Sequence, residues 1–426
     1  MAARWPAATP PLEDEDLLTE ILLRLPPQPS SLTRASLVCR QWRCLISDPR
    51  FVRRFRRRHR RHPPLIGFFD MGPRGLYFVP TLEAPNRLPP ERFALQFEDG
   101  DQFMPLGSRH GLVFVIHLSW SRVLVWDPVT ADQHLIALPP GLMGHLNRTM
   151  VHGAVLRAAG EVQHFQVVLM VADDDYDMED RQMLACVYSS RTGLWGDIIS
   201  APLPPKVPIG SRPLMVSPSK EAVLVDNSLH WMLFGSLVGI LEFDLLKQSI
   251  AVIPTPVGVV SSHGRHELTV VRAKGDGLGF LIVIDFCAQS WRRKTDCHGV
   301  ASWELERTIE LDKLLPLNPE RRAHLYIVGF AEENNVVFAW TPVIGLFLIH
   351  LESLQFKKTP NPSMLARYLP FESVFVAETC VGGGHDGAVA GGHDRAFDTI
   401  YTNGEANVYC LRHTKVIRIT PNGFPE

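Results

Sequence analysis

Residues 11–51, PLEDEDLLTEILLRLPPQPSSLTRASLVCRQWRCLISDPRF, carry the densest pattern in the chain. Asp14 and Asp16 are suited to the start of a helix, where a carboxylate can accept free backbone N–H groups. Apolar residues then recur at helical spacing from Leu17 to Leu25. The prolines that follow this run predict the end of the helix.

The same stretch predicts two more helices. Ser30 or Ser31 can cap a second helix, in which apolar residues keep helical spacing over residues 32–46. Asp48 followed by Pro49 is typical of a third helix start, since proline suits the first helical position.

Three short helices of this size bury little surface of their own. An apolar face with too small a core to cover it suggests a partner protein. The alternative is an ordinary helical subdomain packed on the rest of the chain, and the pattern alone leaves both open.

The stretch resembles an F-box, the motif that docks a substrate receptor onto the Skp1 adaptor of a cullin–RING ubiquitin ligase. The motifs behind the resemblance are Leu25-Pro26, Val38-Cys39-Arg40-Gln41-Trp42 and Asp48-Pro49-Arg50-Phe51. The order Pro11-Leu12 and the extra prolines in the first linker depart from the commoner pattern. The resemblance implies Skp1 contacts by Pro11, Leu12, Leu17, Leu18, Ile21, Leu22, Leu25, Pro26, Leu32, Ala35, Val38, Cys39 and Trp42.

An arginine-rich run follows directly. Its members are Arg53, Arg54, Arg56, Arg57, Arg58, Arg60 and Arg61. Such a run can serve as a nuclear-import patch or attract an acidic partner. We favour the solvated face of an exit helix, because Phe51 and Phe55 interleave as an apolar stripe. One basic cluster without a basic body behind it gives little support to nucleic-acid binding.

Helical periodicity ends at residues 62–64, and short apolar runs broken by turn residues begin. We therefore divide the chain into a disordered N-terminus (1–10), an F-box helical domain with a basic exit helix (11–62) and a large all-β domain (63–426).

One unit of two strands around a short turn recurs in the all-β part. Copies stand at residues 124–139, 186–199, 241–254 and 348–360, with a weaker copy at 302–315. The marker residues Asp127, Ser189, Asp244, Trp303 and Leu351 are 48 to 62 residues apart, which is room for four strands. This repetition favours a β-propeller of about six blades, with the chain ends closing one blade. Unrelated hairpins in a β-sandwich are the alternative.

The body also resembles the F-box-associated β-propeller region of plant F-box proteins. The residues behind the likeness include His110-Gly-Leu-Val, Trp126-Asp-Pro-Val-Thr130, Val187-Tyr-Ser-Ser190 and Leu229-His230-Trp231.

Composition is that of a globular protein, with 46% hydrophobic and 21% charged residues. Seven scattered cysteines fit reduced thiols better than a disulfide framework. The sequence has neither a secretory signal nor an apolar run that would span a bilayer. We expect a cytoplasmic and/or nuclear protein with no membrane partner.

No P-loop, nucleophile elbow or paired metal-ligand spacing occurs. The acidic run 173–180 and the glycine-rich run 382–394 are typical of solvated loops. We expect no catalytic residue, no cofactor and no metal site.

Together the resemblances imply a substrate-recognition adaptor of an SCF (Skp1–cullin–F-box) E3 ubiquitin ligase. Such a subunit is non-catalytic: it would dock Skp1 through the F-box and present an unknown protein substrate through the propeller. The alternative is a glycan- or protein-binding regulator that acts without substrate degradation.

Overall fold

A computed structural model describes residues 14–143, 151–157, 164–172, 182–203, 215–216, 220–234, 239–256, 266–284, 286–316, 325–342, 344–359, 368–376 and 416–418. Four helices come first: α1 (Glu15–Leu23), α2 (Pro29–Ser36), α3 (Arg40–Ser47) and α4 (Pro49–His59). Two short helices, α5 (Pro140–Met143) and α6 (Leu311–Leu314), lie among the strands that follow.

The helix starts are largely those expected. Asp14 accepts hydrogen bonds from the backbone of Asp16 and Leu17, and Asp48 accepts one from the Arg50 N–H at 2.7 Å. The expected serine cap of the second helix is wrong, because Pro29 begins that helix and Gln28 precedes it.

The second of the three expected helices is in fact two. The chain leaves α2 at Leu37 and turns at Cys39, whose extended backbone (φ −159°, ψ 173°) interrupts the helical hydrogen bonding before α3. The helical domain therefore has four helices instead of three.

Six sheets follow, and each is one propeller blade; their strands pair antiparallel except for one parallel pair in blade 1. Blade 1 contains β1 (Leu65–Gly72), β2 (Gly75–Pro80) and β3 (Ala94–Gln96); blade 2 contains β4 (Phe103–Arg109), β5 (Leu112–His117), β6 (Arg122–Asp127) and β7 (Asp132–Ala137). Blade 3 contains β8 (Val151–Leu156), β9 (Gln166–Ala172), β10 (Gln182–Ser189), β11 (Leu194–Trp195) and β12 (Ile199–Pro202). Blade 4 contains β13 (Met215–Val216), β14 (Val223–Val225), β15 (Ser228–Phe234), β16 (Gly239–Asp244) and β17 (Ser249–Pro254). Blade 5 contains β18 (His266–Ala273), β19 (Gly277–Ile284), β20 (Cys287–Thr295) and β21 (Ala301–Glu310); blade 6 contains β22 (Tyr326–Ala331), β23 (Val336–Thr341), β24 (Gly345–His350) and β25 (Phe356–Lys358).

A late segment completes blade 1. Strand β26 (Tyr368–Glu372) pairs antiparallel with β1, placing Leu369 opposite Phe69. The last strand, β27 (Val416–Arg418), pairs in parallel with β3. The predicted six-bladed propeller and its closure by both ends of the all-β domain are thus confirmed.

One hydrophobic cluster lies between each pair of neighbouring blades. Strands in the middle of a blade contribute to the clusters on both sides, since successive side chains point to opposite faces. Phe69, for example, packs against Trp126 of blade 2, whereas Phe68 packs against Phe338 of blade 6. Burial of both faces explains why these strands read as continuous apolar runs.

The sequence repeat originates in a turn between the third and fourth strands of a blade. Oδ1 of Asp127 accepts two backbone N–H groups at 3.0 and 3.2 Å, and Oδ1 of Asp244 accepts two at 2.9 and 2.8 Å. Asp296 does the same in blade 5, at 2.9 and 2.8 Å, and the His350 ring accepts one such bond in blade 6. These side chains stabilise the turn by replacing backbone acceptors.

Two of the five sequence markers are wrong. Trp303 lies inside β21, and Leu351 lies one residue past the start of its turn. The equivalent turns begin at Asp296 and His350, so the true repeat is more regular than the sequence markers indicated.

The helical domain is held against the propeller by the segment that follows β26. Val374 and Val376 are buried in the same cluster as Leu18, Phe51 and Phe55 of the helices. The backbone N–H of Ser30 and its hydroxyl both donate to Asn86 Oδ1, at 3.1 and 2.7 Å. The helices therefore have a defined position relative to blade 1.

Candidate functional site

Eleven of the thirteen residues expected to contact Skp1 lie in the described part of the chain, where they are buried, half-buried or exposed. Four lie in the core of the helical domain, with exposed fractions of 0% to 8%: Leu18, Leu22, Leu32 and Ala35. Leu25 and Trp42 are half-buried against that core. These six side chains support the helical surface from within. Pro11 and Leu12 lie outside the described residues.

The remaining five are exposed, and two of them lie on one face of α1. Leu17 and Ile21, one helical turn apart, are 51% and 41% exposed. Val38, Cys39 and Pro26 are also exposed.

Leu37 is a surface residue that sequence reasoning missed. It is 71% exposed, and its neighbour Val38 is 62% exposed. Both lie at the break between α2 and α3, which the expectation of one continuous helix concealed. Leucine and valine seldom stay this exposed without a reason once they are grouped. We call Leu17, Ile21, Leu37 and Val38 the exposed apolar pairs.

The arginine-rich run is divided by the packing of α4. Arg53, Arg57, Arg58 and Arg61 are exposed, while Arg54 forms an ion pair with Glu20 at 2.9 Å. Arg56 and Arg60 are partly buried and, together with the exposed Arg57, line a cavity on the propeller side of α4. Phe51 and Phe55 form the buried stripe that the sequence indicated.

A network of charged side chains lies at the ends of the first strands of blades 2, 5 and 6. Glu332 lies between two guanidinium groups, Arg109 and Arg272, each at 2.5 Å. Its Oε2 also accepts the Leu224 N–H at 3.1 Å. One carboxylate of blade 6 thus contacts blades 2, 4 and 5.

Glu372, the last residue of β26, lies beside this network. Its carboxylate accepts the Glu333 N–H at 3.2 Å and the Asn334 N–H at 2.8 Å. Burial raises the pKa of Glu372 to about 7, although these hydrogen bonds oppose the shift. The group therefore titrates near neutral pH.

Comparison with known protein families shows which family this chain belongs to. Residues 106–359 match the family model described as F-box protein AT5G49610-like, beta-propeller, and residues 15–58 match the F-box-like model. The chain belongs to this family of F-box proteins. The four helices are its F-box, and the first family model covers blades 2 to 6.

Relatives in Arabidopsis thaliana are F-box proteins by name. The F-box/kelch-repeat protein At1g15680 is 26% identical, over 70% of this chain and 72% of its own length. The F-box protein At5g07610 is 23% identical, over 81% of this chain and 82% of its own length. Among solved structures, apo AztD from Citrobacter koseri is 10% identical, with a TM-score of 0.36 over 71% of this chain and 88% of its own. That degree of structural likeness supports no statement about this F-box protein.

Membrane spans, metal sites and the two unusual runs of the sequence complete the search for functional features. Within the described residues, no helix is long and apolar enough to cross a membrane. The same part of the chain holds no group of three His, Cys, Asp or Glu side chains that could bind a metal ion. The acidic run 173–180 and the glycine-rich run 382–394 lie outside it.

Proposed function

We propose that this F-box protein is the substrate-recognition subunit of an SCF E3 ubiquitin ligase. It docks a Skp1-like adaptor through the F-box, joins a cullin–RING ligase through that adaptor, and presents a protein substrate on the propeller. The subunit is non-catalytic and acts by raising the local concentration of its substrate near the ubiquitin-carrying enzyme. We further propose that it is located in the cytoplasm and/or nucleus.

The exposed apolar pairs are the observation that supports docking best. Complete burial of four such side chains contributes at most roughly 6–12 kcal/mol. Association costs on the order of 4–15 kcal/mol. Because the two energies are similar in size, loss of either the Leu17–Ile21 pair or the Leu37–Val38 pair should prevent binding. The buried residues Leu18 and Leu22 contribute indirectly, by holding α1 in place.

The connections between strands favour the propeller face away from the F-box for the substrate. On the F-box face, two residues separate β4 from β5 and three separate β18 from β19, while the longer connection from β8 to β9 in blade 3 has nine. At the opposite ends of the strands, β9 ends at Ala172 and β10 begins at Gln182, while β17 of blade 4 ends at Pro254 and β18 of blade 5 begins at His266. Longer connections on a rigid scaffold commonly carry recognition residues.

The docking test is capture of a Skp1-like protein by the full chain. We expect loss of capture by L17E/I21E and by L37E/V38E, because each introduces charge into an apolar contact. L194E and L246E are matched controls: both leucines are exposed, 68% and 77%, but belong to blades 3 and 4. Unchanged capture by both double variants would overturn the docking proposal. Leu22 is unsuitable for this test, since a charge in the core would unfold the F-box.

The substrate role needs a second measurement. Proximity labelling with the proteasome inhibited, comparing the full chain with L17E/I21E, is expected to reveal a ubiquitylated client only with the former. A client that is bound equally by both and never ubiquitylated would favour a glycan- or protein-binding regulator instead.

A further inference from the structure

A cavity of about 490 Å³ lies where α4 meets the propeller. Arg56, Arg57 and Arg60 line its F-box side, and Arg157 with Asp127 lines the side of blades 2 and 3. Glu372 to Val374, the segment that ties the F-box to the propeller, form part of its wall. The cavity thus belongs to neither domain alone.

The charge balance of this cavity favours an anion. Four guanidinium groups line it, whereas its acidic side chains are Asp127, Asp132 and Glu372. Asp127 is occupied by Arg157, at 2.8 Å. The described lining of the cavity therefore has one more positively charged than negatively charged side chain.

Burial strengthens the interactions of these charged groups. Arg157 and Asp127 are both mostly buried, and desolvation lowers the pKa of the former and raises that of the latter. Charges in such a poorly hydrated site interact more strongly than charges on an open surface. His110 adds a neutral polar group: its Nδ1 accepts the Arg157 N–H at 3.1 Å, which places its proton on Nε2.

The rest of the wall includes apolar and aromatic side chains beside polar ones. Leu112, Val129 and the buried Phe165 line it, and the Phe165 ring lies 5.0 Å from that of His134. An apolar wall with a few convergent charged groups is the usual composition of a small-molecule site, and this volume falls within the usual range.

We propose that this cavity binds a small organic anion whose phosphate or carboxylate group contacts the α4 arginines and whose ring lies against Val129 and Phe165. Arg56 and Arg60, one helical turn apart, present a paired set of donors suited to such a group.

A ligand there contacts the F-box and the propeller together. Because it binds only the folded arrangement of the two, it stabilises that arrangement by mass action. The orientation of a docked Skp1-like partner relative to the substrate would then depend on the ligand. The binding site itself does not require the SCF function.

Isothermal titration of the full chain with phenyl phosphate and with benzoate tests the proposal. We expect at least one of them to bind with a Kd below about 1 mM. The variant R56Q/R60Q should weaken binding at least tenfold. R53Q/R58Q removes the same charge from the exposed side of α4 and should change the Kd less than twofold.

A variant that fills the cavity separates shape from charge. V129W leaves every charge in place and should also abolish binding, with circular dichroism and the Tm checking that both variants fold. Failure of both anions to bind, equal loss with R53Q/R58Q, or full binding by V129W would overturn the proposal. So would binding of an acidic peptide that phenyl phosphate fails to displace. The tighter of the two probes identifies the preferred anionic group.

Discussion

Glu372 and Asn334 hold the propeller closed: Glu372 Oε1 accepts the Asn334 backbone N–H at 2.8 Å and its side-chain amide at 2.7 Å. Glu372 ends β26, the strand that completes blade 1. The same Asn334 amide donates to Pro63 O at 2.9 Å, in the segment that enters blade 1. One turn of blade 6 thus fastens both chain segments at the ring closure.

The first prediction is a pH dependence of stability that comes from Glu372. Its pKa of about 7 in the folded state exceeds the value of 4.5 for an ordinary glutamate, so the folded state binds the proton more tightly. The stabilisation is complete below pH 4.5 and is lost as pH rises through 7, by on the order of 3 kcal/mol. Urea unfolding at pH 5 and pH 8 measures it.

The E372Q variant is the control for other titrating groups. Glutamine keeps an acceptor for Asn334 but cannot ionise. We expect the wild type to lose stability relative to E372Q between pH 5 and pH 8; parallel stability curves would contradict the assignment.

A second prediction concerns Glu332. The E332Q variant leaves Arg109 and Arg272 without their shared negative charge in a site where Arg109 and Glu332 are less than one-tenth exposed. Breaking a buried ion pair in this way costs roughly 3–5 kcal/mol. Chemical denaturation measures the loss.

The matched change is E310Q. Glu310 pairs with Lys313, but both side chains are largely exposed. Solvent screens such a pair, so we expect little change. A loss for E310Q as large as that for E332Q would mean that burial of the network is unimportant.

The third prediction tests the attachment of the F-box to the propeller. V374A/V376A removes buried methyl groups from the F-box core and should cost roughly 3 kcal/mol. Proteolysis at residues 60–64 should become faster, while the blades stay intact. Cleavage as slow as in the wild type would show that other contacts, such as that of Ser30 with Asn86, suffice.

The fourth prediction concerns the recurring turns. In four of these turns the residue four positions after the turn start has a positive φ: Ala131 (65°), Gly193 (73°), Gln248 (50°) and Leu354 (56°). In the Asp296 turn the positive φ belongs to Gly299 (80°), three positions after the start. G193A introduces a Cβ where none of the described atoms lies within 4 Å, so backbone strain is its main effect. We expect a loss of about 1 kcal/mol in the free energy of unfolding.

The control for G193A is the variant G277A. Gly277 also has open space around the position of a Cβ, but its φ lies outside the left-handed region. The substitution should be neutral or slightly stabilising. Equal losses at the two positions would refute the strain argument.

Much of the fold could be predicted from local sequence patterns. Asp14 and Asp48 marked helix starts, because a cap depends only on the next three residues. The Asp127 and Asp244 turns marked blades, because each turn is stabilised by its own side chain. The break at Leu37 was missed, since the apolar spacing continues through it.

The exposed apolar pairs could not be predicted from helical spacing alone. Leu17, Leu18, Ile21 and Leu22 have the same residue type and nearly the same spacing. Leu18 and Leu22 are buried while Leu17 and Ile21 are not, because the helices and the segment after β26 pack against one side of α1. Helical spacing predicts that these apolar side chains lie on one side of α1. How many of them are buried depends on the segments that pack against that side.

By itself, the sequence determined the order of helices and strands, the repeat and the family, since these depend on short-range spacing. Tertiary structure alone decided which apolar side chains of residues 11–51 remain exposed, and which arginines of α4 turn toward the propeller. Val374 and Glu372 lie more than 300 residues from the helices they meet. No local pattern encodes such contacts; the closure of the ring by β26 brings them about.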